Sequence, residues 1–260
     1  MFRIAFAIPL FLIMAGVASA AVKTKTIDYE HNGKKFSGFL AWDDALQGKQ
    51  PGVLVVHEWW GLNDYARMRA KKLAEHGYVA FACDMYGEGK HTEHPQEAGQ
   101  FAGEVRKNKQ EWQARAQAAL KVLASQPQVD PDKLAAIGYC FGGSTSLELA
   151  YSGADLKAVA TFHAALPAPT PEEAKAIKAR LLINNGADDK FIPQKAIDDF
   201  KSALDAAKVK YEFVNHPGAV HSFTVKEADA KNIPGMKYNA EADKKSWDKM
   251  LELFKETLGK

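Results

Sequence analysis

Three kinds of residue that can act together on a carbonyl group occur in this chain, each just after a short apolar run. The stretch AAIGYCFGGSTSLELA, residues 135–150, contains Gly138-Tyr139-Cys140-Phe141-Gly142. This is G-x-C-x-G, the nucleophile-elbow pattern G-x-S-x-G with sulfur in place of oxygen. Asp188 and Asp189 follow RLLINNG, and His221 follows YEFVNHPGAV. A free thiol has a pKa of about 8.5, so at neutral pH only roughly a few per cent of it is thiolate. An adjacent imidazole can take its proton, and a carboxylate behind the imidazole fixes the tautomer and stabilises the imidazolium. Glycines on both sides of the cysteine leave room for a sharp turn. The helix that follows presents unpaired N–H groups and its positive dipole end, so the N–H of Phe141 can hold a developing oxyanion. By itself G-x-C-x-G also describes a tight turn around an inert buried thiol. Nucleophile, acid and histidine in that chain order, each after its own strand, are harder to explain that way.

The elements that must position these residues are legible as a pattern. KTKTIDYEHNGKKFSGFLAW places two alternating runs on either side of Asn32-Gly33, a type I′ hairpin signal. GVLVVHE, residues 52–58, is a continuous β-branched run that suits a parallel strand covered on both faces. NDYARMRAKKLAEHG reads as a helix capped by Asn63 or Asp64 and stopped at Gly77. YVAFACDMYG, KLAAIGY, LKAVATFHA, ARLLINNGADD and KYEFVNHPG read as further strands. Residues 95–126 form two helices, and helices follow at GGSTSLELAYSG, QKAIDDFKSALDAAKV and AEADKKSWDKMLELFKETL. Strands alternating with helices predict an α/β fold: a mostly parallel central sheet with helices on both faces and an antiparallel N-terminal hairpin. Its active site is expected outside the carboxyl ends of the strands. Glu58 and Trp59, after VLVVH, share that edge.

The chain has 260 residues and a formal net charge of +2. The first twenty, MFRIAFAIPLFLIMAGVASA, have one cation, an apolar run and an A-x-A ending, which predicts a signal peptide over 1–20 and a mature start at Ala21. Pro9 and the small-residue ending favour cleavage over a retained anchor. The expected location is therefore secreted or periplasmic. Residues 21–260 suit one domain with a substantial core. Lys and Arg are scattered among Asp and Glu, with no basic block for nucleic acid and no second membrane segment. Cys83 and Cys140 match no disulfide scaffold and are expected to be unbridged.

Five segments resemble the dienelactone hydrolases over nearly the whole mature chain: HEWWGL (57–62), CDMYGEGK (83–90), IGYCFGG (137–143), NGADDKFIP (185–193) and HPGAVHSF (216–223). The resemblance implies an α/β-hydrolase fold and a triad of Cys140, Asp189 and His221, with Asp189 rather than Asp188 as the last residue of G-x-x-D. It implies that Glu58 is the family's glutamate beside the nucleophile and that the N–H of Trp59 is the second oxyanion donor. Family members that take an anionic lactone hold its carboxylate with two arginines. The matching positions here, two residues after Tyr86 and four after His221, are Glu88 and Val225. These departures predict a preference for neutral esters or lactones.

Trp60, Tyr86, Glu88 and His163 are candidate pocket residues, although Trp59 and Trp60 suit core packing equally well. No acid partner for His163 is evident in the sequence, and His57 reads as a structural residue shaping the loop. HTEHP, residues 91–95, has no catalytic zinc spacing, and no metal or other cofactor is expected. The expected activity is hydrolysis of a small ester or lactone through a cysteinyl thioester, by a monomer with no nucleic-acid or membrane partner after signal cleavage. The rival readings are an acyltransferase on the same triad, a non-catalytic binding protein on this fold, and a thiol redox protein using Cys83 and Cys140.

Overall fold

The computed structural model describes residues 22–260. The expected signal peptide and Ala21 lie outside the described residues. The chain opens with β1 (Val22–His31) and β2 (Lys34–Asp43), an antiparallel hairpin. Asn32 and Gly33 have φ of 50° and 72°, the two left-handed residues that a type I′ turn requires. β2 then pairs antiparallel with β4 (Val79–Cys83), which lies beside β3 (Gln50–Val56). From β4 onward the sheet is parallel through β3, β5 (Val129–Tyr139), β6 (Ala158–Phe162), β7 (Arg180–Gly186) and β8 (Tyr211–His216). The eight-stranded order is β1-β2-β4-β3-β5-β6-β7-β8.

Both faces of the sheet are covered at its central strands, which explains their unbroken apolar runs. In β3, Leu54 and Val56 point into a core built with α2 (Pro95–Arg106), α3 (Lys109–Ala124), α4 (Phe141–Tyr151) and α6 (Gln194–Ala206). Val53 and Val55 point the other way, against α1 (Asp64–Glu75) and α7 (Ala240–Leu258). Burying a residue of this size contributes about 1.5–3 kcal/mol, and here consecutive residues of one strand are buried in different layers.

Local chemistry sets the helix ends. Asn63 accepts a hydrogen bond from the N–H of Ala66 and caps α1, which settles the choice between Asn63 and Asp64. Asn108 accepts from the N–H of Glu111 at 3.0 Å and separates α2 from α3. One helix was absent from the sequence reading: α5 (Pro171–Ala176), opened by a reciprocal capping box between Thr170 and Glu173. Its signal, Thr-Pro-x-Glu, was present but too short to register as periodicity.

Candidate active site

β5 runs directly into α4 through Cys140, whose φ of 52° and ψ of −112° place a non-glycine residue in a sparsely populated region. Such backbone costs about 1–3 kcal/mol and persists only where its surroundings enforce it. Here they do. A Cβ on Gly138 would lie 1.9 Å from the Gly142 carbonyl oxygen, and one on Gly142 would lie 2.2 Å from that of Val56. The N–H of Cys140 is tied to the Phe162 carbonyl at 3.0 Å. The thiol is thus lifted out of the strand and stands half-buried at the head of a fully buried helix.

Asp189 sits in the turn after β7, where its side chain is fully buried. One carboxylate oxygen accepts from the N–H of Phe191 at 2.9 Å; the other accepts from Nδ1 of His221 at 2.7 Å. That bond fixes the proton on Nδ1 and leaves Nε2 as the base. Asp188 is exposed. His221 follows β8 and is pinned on both sides, its N–H to Gly235 and its carbonyl to Lys237. Burial pushes its imidazole down in pKa. The charge of the neighbouring Cys140 thiolate, hydrogen bonds with Asp189 and Cys140, and the charge of Asp189 outweigh this and hold it up at about 10.

A cavity of about 220 Å³ joins these groups, with Trp59, Arg106, Cys140, Phe191, His221 and Met236 in its wall. The loop after β3 borders it. His57 is buried and neutral, because burial pushes its pKa down. Its Nδ1 donates to the Glu58 carbonyl, and its Nε2 accepts from the N–H of Met85. Tyr86 braces the next peptide, donating from its hydroxyl to the Trp59 carbonyl at 3.0 Å. Among the described residues, neither the N–H of Trp59 nor that of Phe141 meets an acceptor. The absent Cβ of Gly142 lets the head of α4 approach this loop, so both donors belong to one corner of the fold. The arrangement can form a thiolate–imidazolium pair and can hold a negative charge developing on an oxygen.

The family model described as the dienelactone hydrolase family matches residues 36–258. The chain belongs to the dienelactone hydrolase family. A solved structure named m3DLH is 42% identical, with a TM-score of 0.89, covering 92% of this chain and 99% of its own. A dienelactone hydrolase-like promiscuous phosphotriesterase from metagenomic libraries is 38% identical, with a TM-score of 0.89, covering 91% and 99%. Protein usf of Aquifex pyrophilus is 27% identical over 236 residues, 89% of this chain and 98% of its own. The sheet order and its two helical layers are those of the α/β-hydrolase fold, and the family is one of hydrolases.

Against that family frame, the expected pocket residues divide. Cys140, Asp189 and His221 converge, with the peptides of Trp59 and Phe141 beside them. Glu58, Trp60 and Val225 instead line an adjacent cavity of about 400 Å³, which shares Met236 with the first. Tyr86 is not a wall residue: its ring is buried against His57 and Phe141. Glu88 is far from the expected place. It is exposed, has φ of 57°, and lines a separate surface depression with Asp28, Lys35 and Ser37 of the hairpin. The reason is Asp84, whose carboxylate gathers the N–H groups of Tyr86, Gly87, Gly89 and Ser37 and curls the loop toward β2. Counting two residues from Tyr86 therefore gives a side chain outside the lining of the Cys140 cavity.

The charged residue that the sequence reading missed is Arg106, in the last turn of α2. It lies 5.2 Å over the Phe141 ring and borders the Cys140 cavity. No motif marks it; a basic residue at a helix end is ordinary. His163 does have an acid neighbour, Glu58, with Nδ1 3.8 Å from Oε1. Cys83 is fully buried and its thiol pKa is pushed up, chiefly by burial. Cys83 pairs with Val56, which pairs with Gly138, so two strand spacings of about 4.8 Å each separate Cys83 from the elbow. That is too far for a disulfide, and both thiols are free.

Proposed function

We propose that this chain hydrolyses a carboxylic ester or lactone by covalent catalysis at Cys140. Nε2 of His221 takes the thiol proton, and Sγ attacks the carbonyl carbon. The carbonyl π electrons move to oxygen, where the N–H groups of Phe141 and Trp59 receive the charge. Collapse breaks the C–O bond, and the imidazolium protonates the departing oxygen, which in a lactone stays tethered to the acyl group. His221 then deprotonates water, which attacks the thioester carbon; the C–S bond breaks, the acid leaves, and the imidazolium returns the proton to sulfur. One observation carries this reading: a positive-φ cysteine at a helix head opens into the same cavity as a histidine whose other nitrogen is bound to a buried carboxylate.

The test is a panel of esters and lactones on the purified protein, with a phosphotriester included because one relative is named for that activity. Iodoacetamide and Cys140→Ala should each abolish turnover while the circular dichroism spectrum is retained. Wild-type turnover in Cys140→Ala would end the proposal. Product analysis with alcohols or amines present separates hydrolysis from acyl transfer to those acceptors. The expected preference for neutral substrates rested on Glu88 and Val225, neither of which borders the Cys140 cavity; Arg106 does. We also propose that the protein is exported after cleavage before Ala21. Intact mass of the exported protein checks this, and a product still beginning at Met1 would refute it.

A further inference from the structure

A buried polar chain crosses the protein beside the candidate site. Arg69, 2% exposed, begins it. Its terminal nitrogen donates to Asp243 at 2.6 Å and to the Thr224 carbonyl at 2.7 Å, while Nε donates to the Tyr65 hydroxyl at 3.1 Å. Tyr65 Oη and Thr224 Oγ1 are 2.6 Å apart, and Thr224 Oγ1 and Nε2 of His163 are 2.8 Å apart. A guanidinium can only donate, which sets the direction of the rest. The tyrosine oxygen accepts from Arg69 and gives its own proton to Thr224; Thr224 gives its proton to Nε2. His163 must then carry its proton on Nδ1. That nitrogen is fully buried and has no hydrogen-bond partner. Oε1 of Glu58 lies 3.8 Å from it and accepts from the Ser222 hydroxyl at 3.1 Å.

The backbone is bent to present these groups. His163 and Ser222 have φ of 42° and 55°, so the strain at Cys140 is matched at two more positions around the site. The groups facing the pair come from several elements. His163 meets the rings of His221 and Phe223 at 5.2 Å each and that of Tyr139 at 6.1 Å. Glu58 lies within the charge influence of His221, Arg69 and Lys231. Burial, followed by the charges of His221 and Arg69, keeps His163 well below its ordinary pKa and therefore neutral, as a fixed tautomer requires.

We propose that the Arg69–Tyr65–Thr224 chain locks His163 as its Nδ1–H tautomer and aims that N–H at Glu58, holding the carboxylate ionised beside the imidazole of His221. His163 is then a positioning residue. It acts through Glu58 on the imidazolium that the thiol chemistry needs, and in that sense it rests on the function proposed above. Closing 3.8 Å to a hydrogen bond takes a movement of about 1 Å, within reach of a side-chain rotation. The donor offsets the burial that otherwise favours the neutral acid.

Two measurements decide it. Nitrogen NMR of the full-length protein with labelled histidine should show His163 with a protonated Nδ1 and an unprotonated Nε2; the opposite tautomer overturns the proposal. The pH profile of kcat/KM for an ester is then compared among variants. His163→Gln places its amide near the old Nε2 and removes the donor to Glu58. It should lose about tenfold at the acid end of the profile and little at the alkaline end, because without the donor burial favours the neutral Glu58 acid. His163→Asn places an N–H near the old Nδ1 and should recover most of that loss. Equal losses at every pH in both variants would mean that the ring only fills space, and would refute the idea. Tyr65→Phe, which leaves His163 itself intact, should mix the two tautomers; a single unchanged Nδ1–H signal there removes the chain from the proposal. If Cys140 is not the nucleophile, the ester assay is silent in wild type and variants alike, while the tautomer signal still reads out.

Discussion

Two helical glycines, Gly103 in α2 and Gly142 at the head of α4, should answer an alanine substitution differently, the first with a gain in stability and the second with none or a loss. Alanine is the better helix former by about 1 kcal/mol at either position. At Gly103 a Cβ meets nothing within 4 Å, so that gain should appear nearly whole. In a chain of this size it corresponds to a melting temperature higher by about 2–4 °C. At Gly142 the Cβ would lie 2.2 Å from the Val56 carbonyl oxygen and 2.5 Å from that of His57. Both obstacles are backbone at the end of a central strand, so the helix head must retreat by about 1 Å to reach ordinary contact. Overpacking of this kind costs about 1–3 kcal/mol, which cancels or exceeds the propensity gain. The same retreat carries the Phe141 N–H and Cys140 away from the Trp59 peptide. A misplacement of about 1 Å in a catalytic constellation costs roughly a hundredfold in rate. Thermal melting and kcat/KM on one ester, measured for both variants, are the assay. A Gly142→Ala protein that melts higher than wild type and keeps its turnover would show that the helix head does not need its close approach to β3.

Three further outcomes follow from the site. Asp189→Asn should lower kcat by about a thousandfold or more, because the amide no longer fixes the His221 tautomer, while the exposed Asp188→Asn should change it less than twofold; similar losses would mean that the acid is misassigned. Cys140→Ala removes the charge that does most to raise His221, so the imidazole should titrate below about 10 by proton NMR, and an unchanged titration would contradict the coupling. In the wild type, a folded value above the ordinary 6.5 means that the stabilisation from His221 is complete below pH 6.5 and is lost as pH climbs toward 10. Glu88→Arg should leave the ratio of kcat/KM for an anionic lactone over its neutral methyl ester unchanged, while Arg106→Gln lowers it roughly threefold to tenfold; the reverse pattern would return Glu88 to the pocket.

What the sequence determined by itself was whatever short-range physics decides. Asn32-Gly33 had to be a type I′ turn, because both residues accept a positive φ. Apolar runs in the central strands β3, β4, β5 and β6 required a sheet covered on both faces there. Glycines around Cys140 required an elbow, because a side chain at either would strike backbone. The chain order of cysteine, acid and histidine, each after its own strand, was enough to assign a common edge to all three. The tertiary structure decided the matters that depend on where a loop side chain points. It buried Asp189 and left Asp188 exposed, a difference that the resemblance implied but that the spacing of two adjacent aspartates does not show. It turned Glu88 away because the carboxylate of Asp84 collects four N–H groups, a convergence that no spacing announces. It brought Arg106 to the cavity from a helix whose sequence carries no motif. It also gave His163 its neighbours, Glu58 and Thr224, from positions 105 and 61 residues away. Turn and strand preferences arise from contacts between residues close along the chain, so they can be read in order. A polar network is held by hydrogen bonds between residues distant in sequence, and only the folded packing says which of them meet.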